Sequence, residues 1–186
     1  MLAAIVEGGA TFIQLRDKDP SSGARLARAD AAVAIAHRAG ARLIVNDRAD
    51  LARLCDADGV HVGQEDLPVE AVRDIVGPRA VVGISTHTEA QMGAALATSA
   101  DYIAVGPIYG TPSKDTGYTA RGLDLVRRAA SSGRPVVAIG GITLERAPEV
   151  IAAGAASVAV ISDLLTGGDP AGRTRAFLDG LSERRV

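Results

Sequence analysis

The sequence predicts an α/β fold of the (β/α)8 barrel (TIM barrel) type. Three observations lead there. Short apolar runs recur along the chain, apolar on both faces as strands covered on both sides must be. Helical segments separate them, and that alternation makes a parallel sheet with right-handed crossovers. Most of the runs end in a polar or glycine-rich cluster, and such a barrel carries its chemistry at the C-terminal ends of its strands.

In chain order, Leu2-Ala3-Ala4-Ile5-Val6 followed by Glu7-Gly8-Gly9 reads as the end of a helix. Strands are expected near 12–16, 42–46, 59–62, 80–85, 102–106, 135–139 and 157–161. Each follows small turn residues such as Gly40, Asp58-Gly59, Gly77-Pro78, Gly133 and Gly154. The clearest helix runs from about Ser21 to Ala39, with Ser21 or Ser22 as its N-cap and Gly40 where a C-terminal glycine belongs. Further helices are expected near 48–54, 69–76, 88–98, 121–131, 144–153 and 171–182, with Gly167-Gly168-Asp169-Pro170 as a turn.

A closed barrel has eight strands, and this pattern holds seven. No strand is read before the opening helix, so either the true start lies upstream or the fold is the barrel lacking its first β-strand and open at one edge. Its unpaired edge exposes backbone groups and invites association between copies, that is, a homo-oligomer. The 186 residues read as a single domain, 1–186. Within it Gly106 to Gly122 is the one long loop, and long loops in compact domains are usually functional.

Charge is nearly balanced, 20 Lys+Arg against 22 Asp+Glu, which argues against whole-chain attraction to nucleic acid. Aromatic residues make up 3%, too few for a base-stacking platform. A single cysteine, Cys55, permits no internal disulfide and fits a reducing compartment. No apolar stretch approaches the ~18–20 residues that span a bilayer, and Met1 to Gly9 lacks the pattern of a signal peptide. A cytoplasmic protein without nucleic-acid or membrane partners is the expectation.

Several polar residues fall at or just beyond predicted strand ends. Asp47 and Asp66 follow consecutive strands, which lie ~5 Å apart when paired. Two carboxylates there can share a Mg2+ ion, which takes one or two and leaves its other positions to water and phosphate. Each also reads as a loop aspartate next to a helix. Arg16, Lys18 and Lys114 lie on the same predicted face, where cations suit an anion, or else are solvated surface charges. Gly140-Gly141 and Ile161-Ser162 follow the seventh and eighth strands in barrel numbering, the common phosphate site of these barrels. An ordinary strand-to-helix turn is the alternative. Thr111 and Ser113 add hydroxyl donors in the long loop.

The histidines are less telling. His61 sits inside a strand, His87 just past one, and His37 mid-helix. No His or Cys spacing typical of a metal site appears, and no nucleophile–base pair is visible. A site with one cation, several positive side chains and a second phosphate cradle favours chemistry driven by leaving-group stabilisation.

Six motifs together resemble the thiamine phosphate synthase family. They are Gln14-Leu15-Arg16-Asp17-Lys18, Asn46-Asp47-Arg48, Gly59 to Pro68, Gly83-Ile84-Ser85-Thr86-His87, Gly106 to Lys114, and Ala138-Ile139-Gly140-Gly141-Ile142. The resemblance runs from about Glu7 to Leu165. It implies condensation of hydroxymethylpyrimidine diphosphate with hydroxyethylthiazole phosphate, giving thiamine phosphate and pyrophosphate with magnesium. By resemblance, Gln14, Arg16, Lys18, Asn46, Ser85 and Lys114 bind the pyrimidine diphosphate, with Arg16, Lys18 and Lys114 acting on the departing pyrophosphate. Asp47 and Asp66 hold magnesium. Thr111, Ser113, Gly141, Ile161 and Ser162 hold the thiazole phosphate. Gly110 and Ser113 stand where the family often has proline and threonine, and the family normally has a strand before the first helix.

The rival readings are a thiazole tautomerase-like barrel, a truncated phosphate-binding barrel without turnover, and another phosphate-handling barrel such as an isomerase. The tautomerase needs neither the two aspartates nor Lys114. An isomerase would bind one monophosphate without magnesium.

Overall fold

A computed structural model describes residues 1–110 and 117–182. Seven strands occur among them: β1 (Phe12–Leu15), β2 (Arg42–Asn46), β3 (Gly59–Val62), β4 (Val81–Thr86), β5 (Tyr102–Val105), β6 (Val136–Ile139) and β7 (Ser157–Ala159). Each pairs parallel with the next in sequence, in the order β1-β2-β3-β4-β5-β6-β7. The helices are α1 (Leu2–Glu7), α2 (Ser22–Arg38), α3 (Ala49–Leu54), α4 (Val69–Val76), α5 (Glu89–Leu96), α6 (Gly122–Ala130), α7 (Ala147–Ala152) and α8 (Pro170–Ser182). The fold is the expected barrel short of one strand, a curled sheet that β1 and β7 leave open.

Local chemistry explains the helix starts. Ser21 Oγ accepts from the Ala24 N–H, capping α2. Thr88 Oγ1 does the same for the Gln91 N–H at α5. Pro148 and Pro170 stand in the first turns of α7 and α8, where a missing N–H breaks no helical bond.

Along each strand alternate residues face the helices. Leu43, Val45, Val60, Val62 and Val82 pack with Ala29, Val33 and Ala36 of α2, Leu51 of α3 and Val72 of α4. Ile103, Val105, Val136 and Ala138 pack with Leu125, Val126 and Ala129 of α6 and Val150 of α7. Ile84 of β4 touches both clusters and joins them. The other parity faces the barrel interior, where the polar residues are.

The two edges differ from the middle. β3 and β5 are buried along their whole length, whereas β1 and β7 are only partly covered. Phe12 of β1 remains 46% exposed. Outside the opening, α1 packs on α8, so closely that a Cβ on Gly8 would lie 2.5 Å from the Ala171 carbonyl oxygen.

Three details depart from the pattern read in the sequence. β7 ends at Ala159 rather than near 161. Helix α7 starts at Ala147, after a turn in which Thr143 O accepts from the Arg146 and Ala147 N–H groups. A 3-10 segment, Ser162–Gly168, precedes α8, and positive φ at Gly167 and Gly168 then turns the chain.

Candidate functional site

Register builds the interior. Asn46 pairs with His61, His61 with Gly83, and Gly83 with Tyr102, a row across four strands. Gly83 is required there: a Cβ would lie 2.0 Å from Tyr102 Cζ. Into that space lean the His61 and Tyr102 rings, with centroids 5.4 Å apart. His61 Nδ1 lies 2.8 Å from the Tyr102 hydroxyl and its Nε2 lies 2.8 Å from Ser85 Oγ. Phe12 meets Tyr102 edge-on from across the barrel, at 5.9 Å. Burial pushes the Tyr102 phenol well above its usual range, while a side-chain hydrogen bond from Gln14 pulls the other way. Gln14, Asn46 and Ser85 are thus gathered around one aromatic pair, which the sequence reading did not single out.

The rim beyond β1 separates its charges. Asp17 and Asp19 both pair with Arg28 of α2, at 2.5 and 2.9 Å. That guanidinium, with the Asp19 N–H, holds the Asp17 carboxyl below the usual carboxylate range. Arg16 and Lys18 alternate with these acids, are exposed, and form no ion pair among the described residues. Two cations without a counter-charge among the described residues therefore stand at the C-terminal end of an edge strand.

Asp47 and Asp66 follow β2 and β3, which pair directly. Asp47 has φ 66°, an αL conformation that aspartate tolerates better than most side chains, and its N–H donates to the His61 carbonyl. Asp66 Oδ2 accepts from the Gly63 N–H at 2.7 Å, which folds the loop after β3 back on itself. No group of three or more His, Cys, Asp or Glu able to cage a metal occurs among the described residues. Two carboxylates with hard oxygen donors fit a magnesium ion that keeps most of its shell for water and substrate oxygens.

Beyond β6 and β7 lie the glycine turn and the short segment that the sequence marks as candidates for holding an anion. Gly140 and Gly141 have φ 97° and 64°, and a Cβ on Gly141 would lie 2.5 Å from the Gly110 carbonyl oxygen. Ile161 and Ser162 are exposed at the start of the 3-10 segment. Asp163, unremarked in the sequence, ties the two loops together. Its Oδ2 accepts from the Leu144 N–H at 3.1 Å and from Arg173 of α8 at 2.8 and 3.0 Å. Thr111, Ser113 and Lys114 lie outside the described residues.

The remaining candidates are structural. His87 Nδ1 is 2.6 Å from the Gly106 carbonyl, and its ring stacks on Tyr118. His37 pairs with Asp58 at 2.9 Å on the surface. Cys55 ends α3, buried, and burial pushes its thiol up. No helix among the described residues is long and apolar enough to cross a membrane.

Comparison with known proteins turns this geometry into a family assignment. The model of the thiamine monophosphate synthase family matches residues 1–164. The chain belongs to the thiamine monophosphate synthase family. A thiamine-phosphate synthase of Roseiflexus castenholzii is 45% identical over 182 residues, covering 97% of this chain and 80% of that protein. A thiamine biosynthesis bifunctional protein of Symbiobacterium thermophilum is 49% identical over 96% of this chain, which spans 38% of that longer protein. Among solved structures, a thiamine phosphate pyrophosphorylase of Pyrococcus furiosus superposes with a TM-score of 0.90 at 32% identity, covering 98% of this chain and 88% of that one. This family of enzymes belongs to thiamine biosynthesis, and the barrel short of one strand is its fold as this chain carries it.

Proposed function

We propose that the protein joins 4-amino-2-methyl-5-hydroxymethylpyrimidine diphosphate to hydroxyethylthiazole phosphate, releasing pyrophosphate and forming thiamine phosphate. The observation that carries this reading is the sorting of charge at the strand ends. Among the described residues Arg16 and Lys18 have no ion pair while the neighbouring Asp17 and Asp19 pair with Arg28, and Asp47 and Asp66 follow strands that pair directly. A site that must hold a diphosphate and stabilise its departure needs cations on one side and carboxylates for Mg2+ on the other.

In this reading the bond between the pyrimidine methylene carbon and the diphosphate oxygen breaks first, and the electron pair leaves with pyrophosphate. The thiazole nitrogen then supplies its lone pair to the methylene cation. Arg16, Lys18 and Lys114 hold the leaving group, and Gln14, Asn46 and Ser85 orient the pyrimidine ring. The Gly141 turn and the Ile161–Ser162 segment hold the thiazole phosphate, with Thr111 and Ser113 of the long loop. Magnesium, held by Asp47 and Asp66, would neutralise charge growing on the leaving diphosphate. The protein adds position and fixed charge rather than a nucleophile.

The test follows pyrophosphate release and thiamine phosphate formation by purified protein given both substrates, with magnesium or with a chelator. Magnesium-dependent product is expected. A folded protein that forms none would overturn the reading.

A further inference from the structure

The Gly140-Gly141 turn is braced by a residue that lies outside it. Arg146 Nη1 donates to the Gly141 carbonyl at 3.0 Å. That carbonyl and the Ile142 N–H belong to one trans peptide, so holding the first also fixes the second, which points the opposite way. Ile142 is 4% exposed, yet neither its N–H nor that of Gly141 meets an acceptor among the described residues. A buried backbone donor is nearly always paired, and two adjacent donors suit an anion with several oxygens.

Arg146 is itself held. Its guanidinium lies over the Tyr109 ring, 4.6 Å from the centroid. The Tyr109 hydroxyl donates to the Glu149 carboxylate, which can only accept. Arg146 forms no ion pair among the described residues, so its charge is not cancelled. Tyr109 donates its own N–H to the Gly140 carbonyl at 2.9 Å and leads into the long loop. Ring, guanidinium and glycine turn thus make one clasp between the segments that follow β5 and β6.

We propose that Arg146 is a positioning residue: seated on Tyr109, it sets the Gly141–Ile142 peptide so that its N–H serves the oxygens of a phosphate group. That this phosphate is the thiazole substrate's rests on the function proposed above. The clasp does not rest on it.

Inorganic phosphate is the probe, titrated into 15N-labelled protein while the Gly141 and Ile142 amide resonances are followed. Both should shift on binding. Arg146→Met removes the donor and should weaken phosphate about tenfold, the worth of one hydrogen bond. Tyr109→Leu leaves the charge of Arg146 and takes away its seat. It should weaken phosphate too, and the double variant should bind no worse than Arg146→Met alone, because the two residues act through one bond. In turnover, Arg146→Met should raise the KM for the thiazole phosphate and not that for the pyrimidine diphosphate, a split that a general loss of stability would not produce. Phosphate that leaves both amides unmoved would overturn the proposal. So would an Arg146→Met or a Tyr109→Leu variant, folded by its thermal melt, that binds phosphate as the parent does, or two effects that simply add. A protein without turnover whose Ile142 amide still answers phosphate through Arg146 would sink the substrate reading and leave the clasp standing.

Discussion

His61 and Tyr102 stack with their ring planes 26° apart because the strand between them carries Gly83, whose missing side chain is the space they share. Any larger residue would push one ring out of the interior and break the chain of bonds to Ser85.

Gly83→Ala puts that to the test. Overpacking a full interior costs about 1–3 kcal/mol, and for a domain of this size each kcal/mol moves the melting temperature by about 2–4 °C. The variant should melt several degrees lower and bind the pyrimidine diphosphate more weakly. An unchanged melting curve would mean that the Tyr102 ring is free to move aside.

Asp47 needs two variants, because its backbone is in the αL region. Asp47→Asn tolerates that conformation and removes only the charge. Asp47→Ala adds backbone strain of about 1 kcal/mol. Both should lose at least about a hundredfold in turnover and need more magnesium for what remains, while Asp47→Asn melts near the parent temperature. Near-normal turnover in Asp47→Asn would remove Asp47 from the metal site.

Arg16→Met and Lys18→Met should leave stability alone, since neither side chain has an ion pair among the described residues to lose. Each should raise the KM for the pyrimidine diphosphate, and steady-state kinetics across a salt series should find that KM less salt-dependent than in the parent. An effect confined to the thiazole phosphate would contradict the proposed geometry.

Asp163→Ala unfastens the Ser162 segment from the loop after Gly141 and from Arg173. Removing a largely buried acceptor of charged and backbone donors costs about 1–3 kcal/mol, and the thiazole phosphate KM should rise with the loss of order. Ser162→Ala should raise the same KM with little change in melting temperature. Calorimetry beside kinetics separates the two variants.

The sequence carried the fold well because most strands announce themselves twice, by an apolar run and by the polar or glycine-rich cluster that follows it. Leu43-Ile44-Val45 before Asn46-Asp47 is an instance, and β2 ends at Asn46. Residues at the rim were legible for the same reason. What escaped depends on contacts between strands. Tyr102 reads as one more apolar residue of β5 until register sets it beside Gly83 and His61. Asp163 follows a strand like many loop acids, and its importance lies in reaching Leu144 and Arg173, which no local pattern encodes. The 3-10 segment escaped because Ser162 to Gly168 lacks a helical period and carries two glycines near its end.

The order of the strands bears on how the chain folds. Every strand pairs with its sequence neighbour, so each hydrogen-bonded ladder closes a modest loop, and growth can begin at any βα unit and spread both ways. The packing of α1 on α8 is different, since it joins the two ends of the structure. Its loop-closure entropy is highest while the ladder is unformed and falls once the curled sheet has brought the ends together. Docking of these two helices is then the last step of assembly and the first to open, and amide exchange should report Leu2–Glu7 as the least protected helix in the molecule.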